Sequence, residues 1–226
     1  MATPKQITNI LPTIAPRLPA ATIEYGQQYQ DQFTNILRIY FNGIDTTFGG
    51  LLGNANATTG THPGGGYLAF PYAAVQRTTN KTFTANTATQ ITFNQADFLN
   101  DCTNNTSDGI HVNTAGIYNY QFSVQWANTS ATIYNAYIWL RVNGVDVTGT
   151  GSKFDIPGKH GSSDGYLIAA ANFYVQLQAG DYVEMWAAAE NAAVYMEAYA
   201  AQTSPFAMPS IPSVVATLSF VSRLPA

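Results

Sequence analysis

The chain has 226 residues, of which 46 % are hydrophobic and only 10 % charged, and its formal net charge is −4. Charged residues usually make up about a quarter of a globular chain; here Asn, Gln, Thr and Ser supply the polarity, which suits a subunit that hides much of its surface in an assembly. The acidic balance and the lack of a basic patch argue against nucleic acid. No apolar run reaches the length of a membrane span, and the single cysteine, Cys102, excludes an internal disulfide.

Residues 1–22 read as an extended N-terminal arm. Pro4, Pro12, Pro16 and Pro19 forbid a continuous helix, while Ile7, Ile10, Leu11, Ile14 and Leu18 offer apolar handholds. No basic segment precedes an apolar core here, so nothing points to secretion. Residues 23–44 are predicted to form an amphipathic anchor helix. Tyr29, Phe33, Leu37, Phe41 and Ile44 recur at helical spacing with Ile36 and Tyr40 beside them, Thr22 is a candidate cap, and Gly43 after Asn42 is a natural stop. Such a face packs either on its own domain or against sister copies or a larger partner. Residues 45–66 read as a Gly-rich linker containing His62; no phosphate-binding loop occurs in it.

From residue 67 to 226 the pattern changes to strand and turn. Strands are expected near 67–77, 89–94, 109–113, 116–127, 132–143, 145–148, 166–178, 181–189, 194–200 and 213–223. The clearest are two neighbours. Tyr118, Tyr120, Phe122, Val124 and Trp126 alternate with Asn119, Gln121, Ser123 and Gln125; Ala136, Ile138, Leu140 and Val142 alternate with Tyr137, Trp139, Arg141 and Asn143. Period two marks a strand with one dry and one wetter face. Asn143-Gly144 signals a tight hairpin turn, since both residues tolerate positive φ. Residues 149–165 read as a Gly-rich loop. The alanine-rich run Ala187–Ala201 has helical propensity, but its neighbours favour two small-residue strands. Many short strands with frequent turns indicate a sandwich or barrel.

The segments AGIYNYQFSVQWANTS, AYIWLRVNGVDV, ANFYVQLQAGDYVEMW and IPSVVATLSFV follow in that order. Together they resemble the C-terminal jelly-roll domain of virion structural proteins of tailed bacteriophages, especially phages of marine cyanobacteria and other marine bacteria. That domain is similar to the C1q/tumour-necrosis-factor (C1q/TNF-like) jelly roll. The resemblance covers roughly residues 67–226; in addition, YQDQFTNILRIYFNGI resembles short helices that precede such domains. It implies an all-β, two-sheet antiparallel jelly-roll sandwich of ten strands, preceded by an extended arm and one short α-helix, commonly a homotrimer. The implied role is a non-enzymatic structural protein of the virion, docked onto the particle by arm and helix. It would serve as capsid decoration (cement) or as a tail- or fibre-associated component, with other capsid or tail proteins as partners. The alternative is a receptor- or glycan-binding adhesin module of a tail fibre, concerned with host attachment through a surface glycan. The alanines after Trp186 and the long 149–165 loop depart from the C1q-like pattern.

No catalytic constellation is legible. His62, His111 and His160 stand apart, with His111 expected to point out of a strand between Ile110 and Val112. No metal-binding HExxH or nucleophile-framing Gly-x-Ser-x-Gly occurs. The sparse carboxylates Asp108, Asp155, Asp164, Asp181, Glu184, Glu190 and Glu197 do not nominate a glycosidase pair. Asp181, after Gly180, is expected to bond its own turn. Asp155 and Asp164 offer oxygen ligands for Ca²⁺, but without EF-hand spacing a solvated loop is the preferred reading. No cofactor, metal site or enzyme activity is therefore expected. The aromatics Tyr137, Trp139, Tyr174, Tyr182 and Trp186 are expected on the more polar strand face. There they would fill a subunit interface or, in the alternative reading, stack on a sugar ring.

Overall fold

The computed structural model of the chain describes residues 16–18, 26–52 and 70–224. It divides into two compact units with the boundary between Phe70 and Pro71. The Thr22 cap, His62, and most of the predicted arm and linker lie outside the described residues; residues 16–18 have no regular secondary structure.

In the first unit, helix α1 spans Gln27–Leu52. The carbonyl of Gly26 accepts its first bond, from the Gln30 amide at 3.1 Å. The helix passes Gly43 and enters the predicted linker, which corrects both the stop and the linker's start. The physical reason is modest cost: a mid-helix glycine loses only about 1 kcal/mol relative to alanine. The sequence keeps helical apolar spacing through Tyr40, Ile44, Phe48 and Leu51.

The second unit holds thirteen strands among the described residues, against ten expected. They are β1 (Tyr72–Arg77), β2 (Thr89–Ile91), β3 (Gln95–Asn100), β4 (Cys102–Asn105), β5 (Gly109–Val112), β6 (Gly116–Asn128), β7 (Tyr134–Val142), β8 (Val145–Asp146), β9 (Ser152–Ile156), β10 (Gly165–Leu177), β11 (Tyr182–Ala189), β12 (Val194–Met196) and β13 (Val214–Ser222). One sheet has the order β10-β6-β13-β1-β3, with β12 also on β6. The other has the order β4-β5-β11-β7-β8, with β2 on β11 and β9 on β7. Every pairing is antiparallel. The chain changes sheet eight times along the described strands, among them between β5 and β6, β6 and β7, β9 and β10, and β10 and β11, where sequence neighbours face each other across the core instead of pairing. This is a two-sheet antiparallel jelly roll.

Three strands were not predicted, each for a local reason. β3 and β4 lie in an Asp/Asn-rich stretch without alternation. Only Asp101 separates them, at φ 52°, and it turns the chain from one sheet into the other; Asp tolerates this left-handed conformation better than most residues. β9 crosses the predicted 149–165 loop because Ser152–Ile156 pairs with Tyr134–Ile138 of β7. Elsewhere the local signals hold. Asn143 and Gly144 have φ of 52° and 79°, the conformation of a tight hairpin turn. Ala187–Ala189 and Val194–Met196 are strand, not helix.

The core lies between the sheets. From β6 it receives Tyr118, Tyr120, Phe122, Val124 and Trp126; from β7, Ala136, Ile138 and Leu140; from β11, Val183, Met185, Ala187 and Ala189. The alanines after Trp186 leave room for large rings opposite, and Trp126 packs against Phe83 at 5.5 Å between centroids. Each fully buried large aliphatic side chain contributes about 1.5–3 kcal/mol. Gly109, at φ 112°, is required by close approach: a Cβ there would sit 2.3 Å from the Val183 carbonyl oxygen.

Two core tyrosines differ in one atom's fate. The Tyr118 hydroxyl donates to the Thr114 carbonyl at 2.6 Å, whereas the fully buried Tyr120 hydroxyl has no hydrogen-bond partner. A satisfied bond contributes about 1 kcal/mol and an orphaned hydroxyl costs about as much or more. Tyr118→Phe should therefore lower the urea midpoint of unfolding and Tyr120→Phe should hold or raise it; equal losses in both would contradict this account.

Candidate interaction surfaces

The predicted aromatic face forms on the sheet that contains β7 and β11. Tyr137 and Trp139 point outward from β7, and Tyr182 and Trp186 from β11, because Ile138, Leu140, Val183 and Met185 point in. Register places Trp139 opposite Trp186 and Arg141 opposite Glu184. The two indoles stack at 6.4 Å with 29° between planes. The Arg141 guanidinium lies 3.9 Å from the Trp186 ring centroid, a cation–π contact. Tyr182 lies against His111 at 5.0 Å. Tyr174 does not join them: it lies on β10, in the other sheet. Alternation along one strand reveals which residues share a side, but not which sheet the strand enters.

These aromatics are held by partners whose role the sequence did not show; of these, Glu184 and Glu190 stood among its candidate carboxylates and Asp146 did not. Asp146 Oδ1 accepts from Arg141 Nε at 2.6 Å and from Trp139 Nε1 at 2.7 Å. Glu184, nearly buried although it points outward, accepts from the Gly144 amide at 3.0 Å and Trp186 Nε1 at 3.3 Å. Glu190 Oε1 accepts from Tyr137 Oη and Asn135 Nδ2, each at 2.9 Å, and Oε2 from the Asn135 amide at 3.0 Å. The hydrogen bond from Arg141, then that from Trp139, holds the Asp146 carboxyl below its ordinary 3.8. The side chain of Asn135, then its amide, then Tyr137 hold Glu190 below its ordinary 4.5. This outer face is thus charged and largely hydrogen-bonded, although Gln90 Nε2, buried opposite Trp186, has no hydrogen-bond partner.

The opposite sheet presents a different surface. Outward positions on its four long strands are Tyr72, Ala74 and Gln76 on β1; Ile117, Asn119, Gln121, Ser123 and Gln125 on β6; Tyr166, Ile168, Ala170, Asn172, Tyr174 and Gln176 on β10; and Val215, Thr217, Ser219 and Val221 on β13. None of these is charged. Ile168 is 64 % exposed, Tyr174 65 %, and Phe98 on the bordering β3 68 %. Two carboxylates border it, each hydrogen-bonded by neutral donors. Asp97 accepts from Gln76 and Gln95, and Glu197 accepts from the hydroxyls of Tyr195 and Tyr199. β10 is an edge strand of 13 residues with no Lys, Arg or Pro to blunt it. Its run Tyr166-Leu167-Ile168-Ala169 is apolar on both sides, the sequence signal of a strand covered on both faces.

The predicted histidines and carboxylates are dispersed. His111 points outward between buried Ile110 and Val112 and pairs with Asp108 at 2.8 Å. Asp181 Oδ2 accepts from the Gln178 amide at 2.7 Å within its own turn. Asp155 lies on β9, 3.9 Å from Lys153, not in a cation-binding loop. Among the described residues no group of three or more His, Cys, Asp or Glu could hold a metal ion. Cys102 is buried, and burial followed by the charge of Asp101 pushes its thiol up to about 12, so it is a core residue and not a nucleophile. Along α1, Tyr29, Phe33, Ile36, Leu37, Tyr40 and Ile44 are half-buried, whereas Phe41 is on the exposed side with Ile39. The ring planes of Tyr29 and Phe33 stack at 6.2 Å.

No family model matches the chain, and no curated protein does. Solved structures similar to it include the globular domain of zebrafish complement 1qA protein, at 15 % identity over 69 % of this chain and 99 % of that chain, with a TM-score of 0.38. The jelly-roll assignment stands on strand order and register, independently of that similarity.

The carboxylate shifts have a definite sign. A carboxyl held below its unfolded value stabilises the fold above that value, and the contribution disappears as pH falls through the folded value. Asp146→Asn should therefore be less stable than the parent at pH 7, and the gap should close as pH falls below 3.8. Thermal melts of both proteins between pH 7 and pH 2 measure this; a gap that widens in acid contradicts it.

Proposed function

We propose that the chain is a non-enzymatic structural protein that self-associates as a trimer through the β10-β6-β13-β1 face. The observation that carries this reading is that face: its outward positions are uncharged and rich in exposed apolar side chains, beside an unguarded edge strand. A single soluble protein with such an edge invites uncontrolled pairing, and closed symmetry between copies removes the hazard. The four strands hold 41 residues, from 6, 13, 13 and 9. At roughly 3.3 Å rise and 4.8 Å strand spacing they cover on the order of 650 Å² before side-chain relief is counted. Around a three-fold axis that area is divided between two neighbours, which leaves each contact below the roughly 800 Å² per partner of a standard interface until side-chain relief and the β10 edge are added. The other sheet, whose outer charges are already paired, is left facing solvent.

The setting we propose is a virion, as capsid decoration or a tail- or fibre-associated component. The ordered resemblance of four segments to phage structural proteins supports it. So does α1, which has only Asp31, Arg38 and Asp45 as charges in 26 residues and leaves Ile39 and Phe41 exposed, a composition fitted to docking on another virion protein. Copy number per particle separates the two placements: shell decoration requires many copies and a tail or fibre component few.

Placing a charge on the proposed interface should split the assembly. In sedimentation analysis, Ile168→Lys and Thr217→Lys are expected to weaken trimerisation at least tenfold while Val145→Lys, on the solvent-facing sheet, leaves it unchanged. A parent chain that is monomeric at micromolar concentration defeats the reading. Removal of residues 1–52 should leave a folded, self-associating β unit that no longer enters particles; undiminished incorporation would remove α1 and the arm as the anchor.

A further inference from the structure

The solvent-facing sheet carries an open depression of about 450 Å³, lined by Tyr137, Ile138, Trp139, Gly151, Ser152, Lys153 and Ala188. Its size falls within the range of small-ligand sites. It exists because β9 pairs with β7 and brings Gly151–Lys153 alongside Tyr137 and Trp139, while Ala188, opposite Tyr137, supplies a floor without bulk.

We propose that this depression binds a neutral saccharide, with one pyranose ring against Trp139 and Tyr137 and its hydroxyls toward Lys153. Three observations converge. First, the two aromatic walls are preorganised. Trp139 is fixed by its stack on Trp186 and its bond to Asp146, and Tyr137 by its bond to Glu190, so little side-chain freedom is lost on binding. Outward residues two apart on a strand stand roughly 6.6 Å from one another, a span one sugar ring can cover. Second, the lining is largely apolar but open, with Lys153, opposite outward Tyr137, at its border. That combination fits a ligand with apolar C–H faces and a polar edge better than a greasy one, which would seek enclosure. Third, the surrounding charges select against a polyanion. Asp146, Asp155, Glu184 and Glu190 outnumber Arg141 and Lys153 on this side of the sheet, and Lys153 already lies 3.9 Å from Asp155. The site is independent of self-association, which uses the other sheet.

The test uses the full chain on an array carrying neutral hexose and N-acetylhexosamine oligosaccharides beside uronate and sialylated ones, followed by calorimetric titration of the best neutral ligand. Saturable binding to neutral members is expected, with a shift in tryptophan emission. Trp139→Ala should weaken it at least tenfold. Gly151→Phe should do the same by filling the depression, and its fold is safe because a Cβ at Gly151 meets nothing within 4 Å. Sedimentation and thermal melts of the same samples show whether fold and assembly are intact. Retention of no neutral glycan, retention of acidic glycans alone, or unchanged affinity in a folded Gly151→Phe protein would each overturn the proposal.

Discussion

The β unit depends on one packing constraint: the large rings of β6 must interdigitate with the small and aliphatic side chains of β7 and β11. Tyr118, Tyr120, Phe122 and Trp126 fill one half of the layer; Ala136, Ala187 and Ala189 make room for them while Ile138, Leu140 and Met185 close the gaps. Interiors are close-packed, so volume on one side has to be matched by its lack on the other. The alanine-rich stretch after Trp186 is therefore part of the core design. A helix there, which intrinsic propensity favours, would leave β7 without its partner and the rings of β6 without a ceiling.

Once that layer is in place, the two outer faces are free to differ, and they do. On the β7–β11 side, three of the four outward aromatics are tied to a carboxylate or a cation: Trp139 to Asp146, Trp186 to Arg141 and Glu184, Tyr137 to Glu190. Such a surface is content in water and holds its side chains still. On the β10–β6–β13–β1 side, Asn, Gln, Ser and Thr in the middle are bordered by exposed Tyr166, Ile168, Tyr174 and Phe98. With no charged outward position on its four strands, that surface is suited to packing against neighbouring copies. Between these two faces the charge is thus uneven, concentrated on the β7–β11 side.

The same division explains what the aromatic pattern conveyed and what it did not. Tyr137, Trp139, Tyr182 and Trp186 were legible as outward residues because Ile138, Leu140, Val183 and Met185 alternate with them. Tyr174 has the same signature on β10 and belongs to the opposite surface. Its strand's own neighbours, Tyr166 and Ile168, were the better guide to a different surface, because they interrupt the polar half of the alternation. The strands β3, β4 and β9 escaped for a related reason: they are stabilised by pairing with distant segments, and their local residues carry turn chemistry.

By itself, the sequence determined the periods: which residues of β6, β7, β10 and β11 face inward, where Asn143-Gly144 turns, that α1 is amphipathic, and that no clustered set of reactive groups is present in linear order. Those features are local, set by the two-residue repeat of a strand, the 3.6-residue repeat of a helix and the φ tolerance of individual residues. Only the tertiary structure decided which strand lies beside which. It brought Arg141, Asp146 and Glu184 to the two indoles, drew β9 against β7 to shape the depression, and gathered the uncharged positions of four separated strands onto one surface. Pairing in a jelly roll joins residues tens of positions apart across sheet changes, so that information resides in the fit of the whole core and not in any short stretch of chain.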